Sequence, residues 1–423
     1  MSIDPACAFP KDSLHPEGRE WCSGFLLLGI LLGLFGSIAI AWQYHIDVDP
    51  RLIGLHFLAL NAGYVIAAAG AQYAVVRVSL RTLAVFACVL GLAALLGLSF
   101  VAPPAAIGWR MMGLGLVGLS AGTLATALLY GLEPFFVRAP AATANRAGTL
   151  FVAGSLVATA MVGMTYFAGS IRIETALLAV VPLVFAITYA GTRYPASLAS
   201  PATRQRDPAH ERSPLRDTLK DLRSVAAVLL SVLLFFQFGN EWAIAGWLPL
   251  FLIHRMGVNP VWAISALGLY FLTLMLGRLI ARRLLVKVRH GKLLVAGAFA
   301  AVAGFLLLSF TGTFAAACIA VVVIGAGFAP IYPVIAETLD ERFSYHPGFY
   351  NGIFSLAITG AMCTPWLLGY VEGSLGVQWI MLLPAAGSMV SLCAALLLML
   401  EAKVMSGSHS QRAKQALRAA SGQ

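Results

Sequence analysis

The stretch FFQFGNEWAIAGWLPLF (235–251) holds one carboxyl group, Glu241, among residues that are nearly all apolar. A charged side chain near the centre of a bilayer costs at least about 2.5–3.5 kcal/mol on insertion scales, so such a residue usually faces a cavity. Because desolvation favours the neutral form of a carboxyl group, Glu241 is predicted to take up and release a proton. Gln237, one helical turn earlier, and Asn240 are predicted to hydrogen-bond a hydroxylated substrate. The alternative is that these amides only bond Glu241 and fix helix packing.

Whether Glu241 lies inside a bilayer depends on the class of protein, and the composition indicates a membrane protein. Of the 423 residues, 60% are hydrophobic and 11% are charged, and the mean hydropathy is +0.85. Soluble domains are about 45–50% apolar and about 25% charged, so the excess apolar surface needs the bilayer as its solvent. The net charge of +10 comes from basic residues that lie between long apolar runs. Residues so placed set membrane topology, whereas binding of nucleic acid requires a basic patch on a folded face.

The sequence lacks the motifs of enzymes, metal sites and nucleotide-driven pumps. Its six cysteines include no CxxC pair and no cysteine–histidine cluster, so we expect no disulfide framework, no metal and no cofactor. There is no P-loop, GxSxG, HExxH or dinucleotide-binding glycine motif. Without a P-loop, ATP cannot drive the chain directly, and an ion gradient or the gradient of a small-molecule substrate must do so.

Twelve segments are long enough to cross a membrane as helices, since a span takes about 20 apolar residues. They form two sets of six, at 23–43, 52–74, 82–102, 107–131, 148–168 and 173–192, and at 224–253, 260–281, 293–311, 314–337, 350–371 and 376–400. The polar segment 194–223 between the sets has the Pro, Arg and Asp content of a linker. The predicted fold is therefore an all-α membrane protein with twelve transmembrane helices in two six-helix bundles. The predicted domains are a tail at 1–22, bundles at 23–193 and 224–400 on either side of the linker, and a tail at 401–423.

Lysine and arginine are unevenly distributed between the two ends of these segments. One set of connections holds only Arg51, Arg172 and Arg255. The opposite set holds the basic residues of 193–223 together with Arg77, Arg81, Arg138, Arg146, Arg278, Arg282, Arg283, Lys287, Arg289 and Lys292. Because cytoplasmic loops are enriched in Lys and Arg, both termini are predicted to be cytoplasmic, in a plasma membrane of the bacterial inner-membrane kind. We call the two ends of the bundle the predicted outer face and the predicted inner face.

The segment LGRLIARRLLVKVRHGKLLVAG (276–297) resembles the loop between the eighth and ninth helices of the major facilitator superfamily. The resemblance covers nearly the whole chain and implies a monomeric secondary transporter, whose two six-helix halves expose a central site to each side in turn. It also implies a conformational latch made of one glycine and three arginines: Gly277, Arg278, Arg282 and Arg283. The matching segment of the first half, GAQYAVVRVSLRTLA (70–84), lacks the acidic residue that usually pairs with these arginines.

Two shorter stretches are similar to the sugar–proton symporter branch of that superfamily, which includes fucose permeases. They are GNEWAIAGWLPLFL (239–252) in the seventh helix and GAGFAPIYPVIAETLDERF (325–343) in the tenth. This resemblance implies proton-coupled uptake of a sugar or a similar hydroxylated compound. One alternative is an exchanger or exporter of an organic anion or a drug, although the fifth helix (148–168) lacks the Gly-Pro pair of many drug antiporters. A non-transporting receptor is the other alternative, and its output domain would have to fit in the short tails.

Five further side chains are candidates for the substrate site. Arg110 lies a few residues inside the outer boundary of the fourth helix, so it either faces the cavity and favours anions or extends to the membrane surface. Asn61 and Asn351 either bind substrate or hydrogen-bond between helices, a contact that typically contributes about 0.6 kcal/mol. Trp247 and Tyr332 either stack on a sugar ring or pack between helices.

Overall fold

The computed structural model describes residues 16–191, 225–342 and 347–421, and almost all of them lie in helices joined by short turns. Six helices make up the first half: α1 (Pro16–Gly33, continued by Phe35–Ala41), α2 (Pro50–Val75), α3 (Leu80–Phe100), α4 (Ile107–Gly131), α5 (Pro140–Ala168) and α6 (Ile171–Leu178 and Val180–Gly191). Short helices at Tyr44–Asp47 and Glu133–Arg138 connect α1 to α2 and α4 to α5. The predicted linker, 194–223, lies outside the described residues.

The second half has the same plan. Its helices are α7 (Val225–Met256), α8 (Pro260–Lys287), α9 (His290–Phe310), α10 (Phe314–Phe328 and Ile331–Arg342), α11 (Pro347–Leu375) and α12 (Leu382–Ser421). One 3₁₀ turn, Val377–Trp379, joins α11 to α12. The break in α10 falls at Pro330, which has no backbone N–H to donate to the preceding turn.

Within the described residues, eleven spans of 21 to 32 residues are long and apolar enough to cross a membrane. The chain is therefore a multi-pass integral membrane protein. The twelfth predicted segment, 350–371, lies in α11, which is 29 residues long but whose side chains the structure describes only from Leu356 onward. The count of twelve and the cytoplasmic position of the termini stay predictions.

Local sequence explains where α2 and α8 begin. The side chain of Asp49 accepts a hydrogen bond from the backbone N–H of Arg51, and Pro50 is the first residue of α2. Asn259 caps α8 in the same way through the N–H of Val261, again with a proline as the first helical residue. A capping oxygen satisfies a backbone donor that has no partner in the helix, and proline has no such donor to leave unpaired. The first and second halves thus use the same starting signal at matching helices.

Glycines let neighbouring helices of one half approach closely. A Cβ atom on Gly154 of α5 would overlap the carbonyl oxygen of Leu26 in α1 and lie 3.0 Å from the backbone nitrogen of Ile30. On α4, a Cβ on Gly118 would likewise overlap the carbonyl oxygen of Leu60 in α2. Lipid supplies no hydrophobic drive for helix association, so such close packing of backbones is a main source of cohesion.

The two halves meet mainly along four pairs of helices. α1 packs on α7 and α2 on α11, while α5 packs on both α8 and α10. Toward the predicted outer face, a Cβ on Gly369 of α11 would lie 2.5 Å from the carbonyl oxygen of Pro50 in α2. Toward the predicted inner face, Asn145 of α5 donates a hydrogen bond of 3.2 Å to the carbonyl oxygen of Arg278 in α8. The halves therefore touch on both sides of the space that lies between them.

Candidate functional site

A cavity of about 760 Å³ lies between the two halves. Helices α1, α2, α4 and α5 supply one wall, and α7, α8, α10 and α11 supply the other. Most of the lining is aromatic or aliphatic, and the aromatic residues include Phe25, Tyr64, Phe151, Phe238, Trp242 and Tyr332. Among the described residues, its charged side chains are Glu241 and Arg278. An apolar pocket with a few convergent polar groups is the usual form of a small-molecule site.

Glu241 lies at the middle of α7, 241−225=16 residues from its first residue and 256−241=15 from its last. Its Oε1 accepts a hydrogen bond of 2.8 Å from Nε2 of Gln237, which lies one turn earlier on the same face. Its Oε2 is 3.8 Å from Nη2 of Arg278, and the side chain is 17% exposed. The carboxylate thus meets an amide, a guanidinium and the open space of the cavity.

Arg278 joins this carboxylate to the opposite half of the molecule. Its Nη1 donates a hydrogen bond to the carbonyl oxygen of Gly148 in α5, and its own carbonyl oxygen accepts from Asn145. Its side chain is only 5% exposed. The resemblance placed Arg278 in a cytoplasmic latch, but the structure places it in the wall of the central cavity. It still makes a contact between the halves, as a latch residue would.

The other predicted latch residues lie away from the cavity. Gly277 faces α10, where a Cβ would lie 2.6 Å from that of Ala329. Arg283 is exposed, and Arg282 is half-buried. Neither arginine lines the cavity. Their role as a latch stays a prediction.

Five of the predicted substrate-binding residues lie outside the cavity lining, and two of these are Gln237, which donates to Glu241, and Arg110. The contacts of the other three are as follows. Asn240 donates a hydrogen bond of 3.1 Å to Ser388 of α12 and is buried. Trp247 is fully buried and donates 2.9 Å from its indole nitrogen to the carbonyl oxygen of Pro365 in α11. Asn61 donates 2.9 Å to the carbonyl oxygen of Phe57 within α2. Asn240 and Trp247 thus join neighbouring helices, although Asn240 bonds Ser388 and not Glu241, whereas Asn61 bonds within its own helix.

Tyr332 is the predicted aromatic residue that does line the cavity, and its ring lies edge-on to Phe238 at 6.3 Å. The side chain of Asn351 lies outside those that the structure describes. Trp242, Tyr64 and Phe151 also line the cavity but are absent from the predicted site. Phe238 lies three positions before Glu241, so the helical spacing of α7 held a signal for it. Neither α2 nor α5 held such a signal for Tyr64 or Phe151.

Arg110 is buried near the predicted outer end of α4. Its Nη2 donates a hydrogen bond of 3.0 Å to the carbonyl oxygen of Ala105, and the side chain is 7% exposed. The guanidinium lies 5.1 Å from the ring centre of Tyr44 and 5.6 Å from that of Trp42. These cation–π contacts are each worth about 0.5–2 kcal/mol. They hold the charge among aromatic rings and not in the central cavity.

A smaller cavity of about 460 Å³ adjoins the same carboxyl group. Its lining includes Glu241 and Trp242 together with Ser155 of α5 and Tyr270 of α8. The hydroxyl of Ser155 donates 3.1 Å to the carbonyl oxygen of Gly29. Glu241 thus stands where two spaces between the halves meet. Among the described residues, no group of three or more His, Cys, Asp or Glu could hold a metal ion.

Solved structures of transporters have this fold. A point mutant of the nucleoside transporter NupG superposes with a TM-score of 0.68 at 13% identity, over 90% of this chain and 99% of that one. The E. coli fucose:proton symporter FucP superposes with a TM-score of 0.64 at 18% identity, over 90% of this chain and 98% of that one. A structure of FucP in the outward conformation gives the same values. At these identities the likeness shows the fold alone.

The sequence itself identifies the family. No curated protein matches the chain. The family model described as Major Facilitator Superfamily, however, matches residues 21–359, which is most of the chain. The chain therefore belongs to the Major Facilitator Superfamily, a family of membrane transporters and not of enzymes.

Proposed function

We propose that this transporter takes up a small hydroxylated solute, such as a sugar, together with one proton that binds Glu241. The observation that carries the proposal is the position of this carboxyl group. It is the acidic side chain of the central cavity, 3.8 Å from Arg278 and 2.8 Å from Gln237. A carboxyl group in low dielectric that faces a cavity is suited to exchange a proton with a solvated space.

Protonation of Glu241 would change the interactions that Arg278 makes with the two halves. At 3.8 Å and an effective dielectric constant of about 20, the attraction between unit charges is on the order of 4 kcal/mol. Protonation of Glu241 removes this attraction and leaves Arg278 held by the carbonyl oxygen of Gly148. Since Glu241 belongs to α7 and Gly148 to α5, the proton changes which half the arginine binds more strongly. Proton binding shifts the balance between two conformations of a protein only when the proton binds one conformation more strongly than the other.

The substrate class follows from the lining of the cavity. Trp242 and Tyr332 offer flat apolar faces for a ring, while Glu241 and Arg278 offer hydrogen-bond groups for hydroxyls. A sugar fits this combination. A nucleoside, which the neighbour NupG is named for, also carries a hydroxylated ring and belongs in the test panel.

The test is transport by purified protein in proteoliposomes, wild type beside Glu241→Gln. An inward proton gradient is imposed while labelled sugars, nucleosides and organic anions are offered outside, and a second run reverses the gradient. We expect one hydroxylated solute to accumulate only when protons move inward with it. Glu241→Gln should lose this accumulation by at least about tenfold and keep exchange of labelled for unlabelled solute. Accumulation that persists in Glu241→Gln contradicts the proposal.

Exchange of an organic anion is the second candidate function, and one observation favours it. Arg278 is a buried cation in the cavity wall. When Glu241 beside it is protonated and neutral, a substrate anion could pair with Arg278 instead. Arg110, which the sequence suggested for this role, lies among the rings of Trp42 and Tyr44 instead. Transport of anions alone, unaffected by the proton gradient, would select this candidate over the first.

A further inference from the structure

A second cluster of titratable side chains joins the two halves at the predicted outer face. His254 lies near the end of α7, and its Nδ1 is 2.6 Å from Oε1 of Glu372 in α11. Its Nε2 is 3.1 Å from the backbone carbonyl oxygen of His45, in the short helix between α1 and α2. One imidazole thus connects a carboxyl group of the second half to the backbone of the first.

The two contacts determine how many protons the cluster holds. A neutral imidazole has one N–H donor and one acceptor nitrogen. The carbonyl oxygen of His45 can only accept, so Nε2 must carry a hydrogen. The contact between Nδ1 and Oε1 of Glu372 then requires a further proton, whether it resides on the ring or on the carboxyl group. Either arrangement holds one proton more than a neutral imidazole beside a carboxylate.

Loss of that proton would break the connection. The lone pair of Nδ1 would face a carboxylate oxygen at 2.6 Å, and rotation of the ring to relieve this repulsion would give up the bond to His45. The other oxygen of Glu372, Oε2, is buried without a hydrogen-bond partner. Removal of the proton would thus leave a poorly solvated charge, which is costly. Separation of the halves would let water reach it.

Other titratable and charged side chains surround the cluster. Burial, and then the positive charge of His254, lower the pKa of His45 below its ordinary value. His45 therefore stays neutral at a pH where a free histidine is half protonated, and it does not compete for the proton. Arg51 of α2 lies over the ring of Tyr370 at 5.7 Å, and Arg255 lies over Phe251 at 5.8 Å.

The side chain of Asp49 accepts from the N–H of Arg51, which occupies it in the cap of α2. Among the described residues, Asp49 makes no ion pair with His254. Access for the proton comes from the predicted outer side, because His254 is 24% exposed whereas Glu372 is 7% exposed.

We propose that His254 and Glu372 form a second proton-binding site, which holds the two halves together at the predicted outer face when protonated and lets them part when deprotonated. The site is distinct from Glu241, which lies 254−241=13 residues, or about 20 Å of helix, away along α7. Acid outside would close the outer face, and loss of the proton would favour its opening. One proton linked to this equilibrium changes the ratio of closed to open by up to about tenfold per pH unit.

The test measures how fast a cavity residue reacts with a reagent supplied outside. The reporter is Ser155→Cys, in a full-length chain whose six native cysteines are replaced by serine or alanine. A membrane-impermeant thiol reagent is added to the outside of oriented vesicles, at pH 6 and at pH 8. We expect labelling at least about tenfold slower at pH 6, after correction for the reactivity of the thiol measured on unfolded protein at each pH. His254→Gln and Glu372→Gln should each remove most of this difference.

A matched control exists at the opposite end of the molecule. His290 and Glu337 form another histidine–glutamate pair, with Nε2 and Oε2 3.7 Å apart at the predicted inner face. His290→Gln should leave the pH dependence of labelling unchanged. Thermal unfolding of each variant shows whether the fold is retained. If His254→Gln fails to fold, Glu372→Gln provides the same test of the pH dependence of labelling.

The outcomes separate this site from the proton site of the proposed function. If Glu241→Gln retains the pH-dependent labelling while both outer variants lose it, the second site stands whatever the transport assay shows. If labelling does not depend on pH, or if both outer variants keep its dependence, the second site is overturned. If Glu241→Gln abolishes the dependence, Glu241 controls the outer face, and the second site is again overturned.

Discussion

A single amide sets the environment of the carboxyl group in the central cavity. Gln237 donates 2.8 Å to Oε1 of Glu241, and a hydrogen bond to a charged group is worth about 1.5–3 kcal/mol. Gln237→Leu keeps the bulk of the side chain but removes this donor, which stabilises the ionised form of the partner. The pH above which proton-driven accumulation fails should therefore rise, by about one unit or more. The measurement is uptake against pH in proteoliposomes.

Asn240 supplies the control for this prediction, because it is the neighbouring buried amide but donates to Ser388 and not to Glu241. Asn240→Ala should lower thermal stability and leave the pH profile of uptake in place. An unchanged profile in Gln237→Leu would mean that the amide only packs, and a shifted profile in Asn240→Ala would mean that the shift is unspecific.

Residue-scale prediction from the sequence succeeded where the partners lie on one helix. Gln237 and Glu241 are four positions apart, so their contact follows from helical geometry. The contact of Glu241 with Arg278 depends on how α7 packs against α8, and no spacing in the sequence encodes it. For the same reason the sequence assigned Arg278 to a loop and Arg110 to a possible cavity role. The roles of all these residues in transport stay predictions until they are measured.

At the scale of helices, close approach of α1 and α5 depends on Gly154. A Cβ there would overlap the carbonyl oxygen of Leu26, and helix backbones have little freedom to move apart in a packed core. Gly154→Ala should therefore destabilise the protein by about 1–3 kcal/mol, the range typical of overpacking. The measurement is thermal or denaturant unfolding in detergent.

Gly163, nine residues later on the same helix, is the matched control. A Cβ at this position would meet Cγ2 of Ile264 at 3.5 Å, an ordinary van der Waals distance. Gly163→Ala should be neutral or slightly stabilising, since alanine favours a helix over glycine. Equal effects of the two substitutions would show that backbone contact between α1 and α5 contributes little.

Most helices were predictable because a span of about 20 apolar residues is a strong and local signal. The positions at which helices are interrupted were harder to predict. α6 is broken at Ala179, three residues before Pro182, which has no backbone N–H to donate to the carbonyl oxygen of Leu178. The short helix Tyr44–Asp47 fell between two predicted spans. The pattern of hydropathy records neither feature.

For the whole molecule, the two-half arrangement follows from the two sets of apolar segments, whereas the contacts between the halves do not. These contacts lie on both sides of Glu241, through His254 and Arg51 at the predicted outer face and through Arg278 in the cavity wall, toward the predicted inner face. A transporter that exposes its site to each side in turn must break one set at a time. The sequence implied this cycle only by resemblance, because side chains that meet between halves are distant in the chain.

A covalent link between the two halves at the predicted outer face should therefore stop transport. A Cβ on Gly373 of α11 would lie 3.2 Å from Nε of Arg51 in α2, so thiols at these two positions would be neighbours across the halves. In a chain without its native cysteines, a short cleavable cross-linker between Arg51→Cys and Gly373→Cys should reduce proton-driven uptake at least about tenfold. Cleavage of the linker should restore uptake, and neither single cysteine should respond.

A cross-link within one half supplies the control for reagent damage. A Cβ on Gly291 of α9 would lie 2.9 Å from Cγ of Met399 in α12, and both residues belong to the second half. Linking Gly291→Cys to Met399→Cys should leave uptake close to that of the unlinked protein, because rigid-body motion of the halves does not change distances inside one of them. If the outer cross-link also leaves uptake intact, the outer contact does not open during transport, and the alternation of the two halves about the cavity is contradicted.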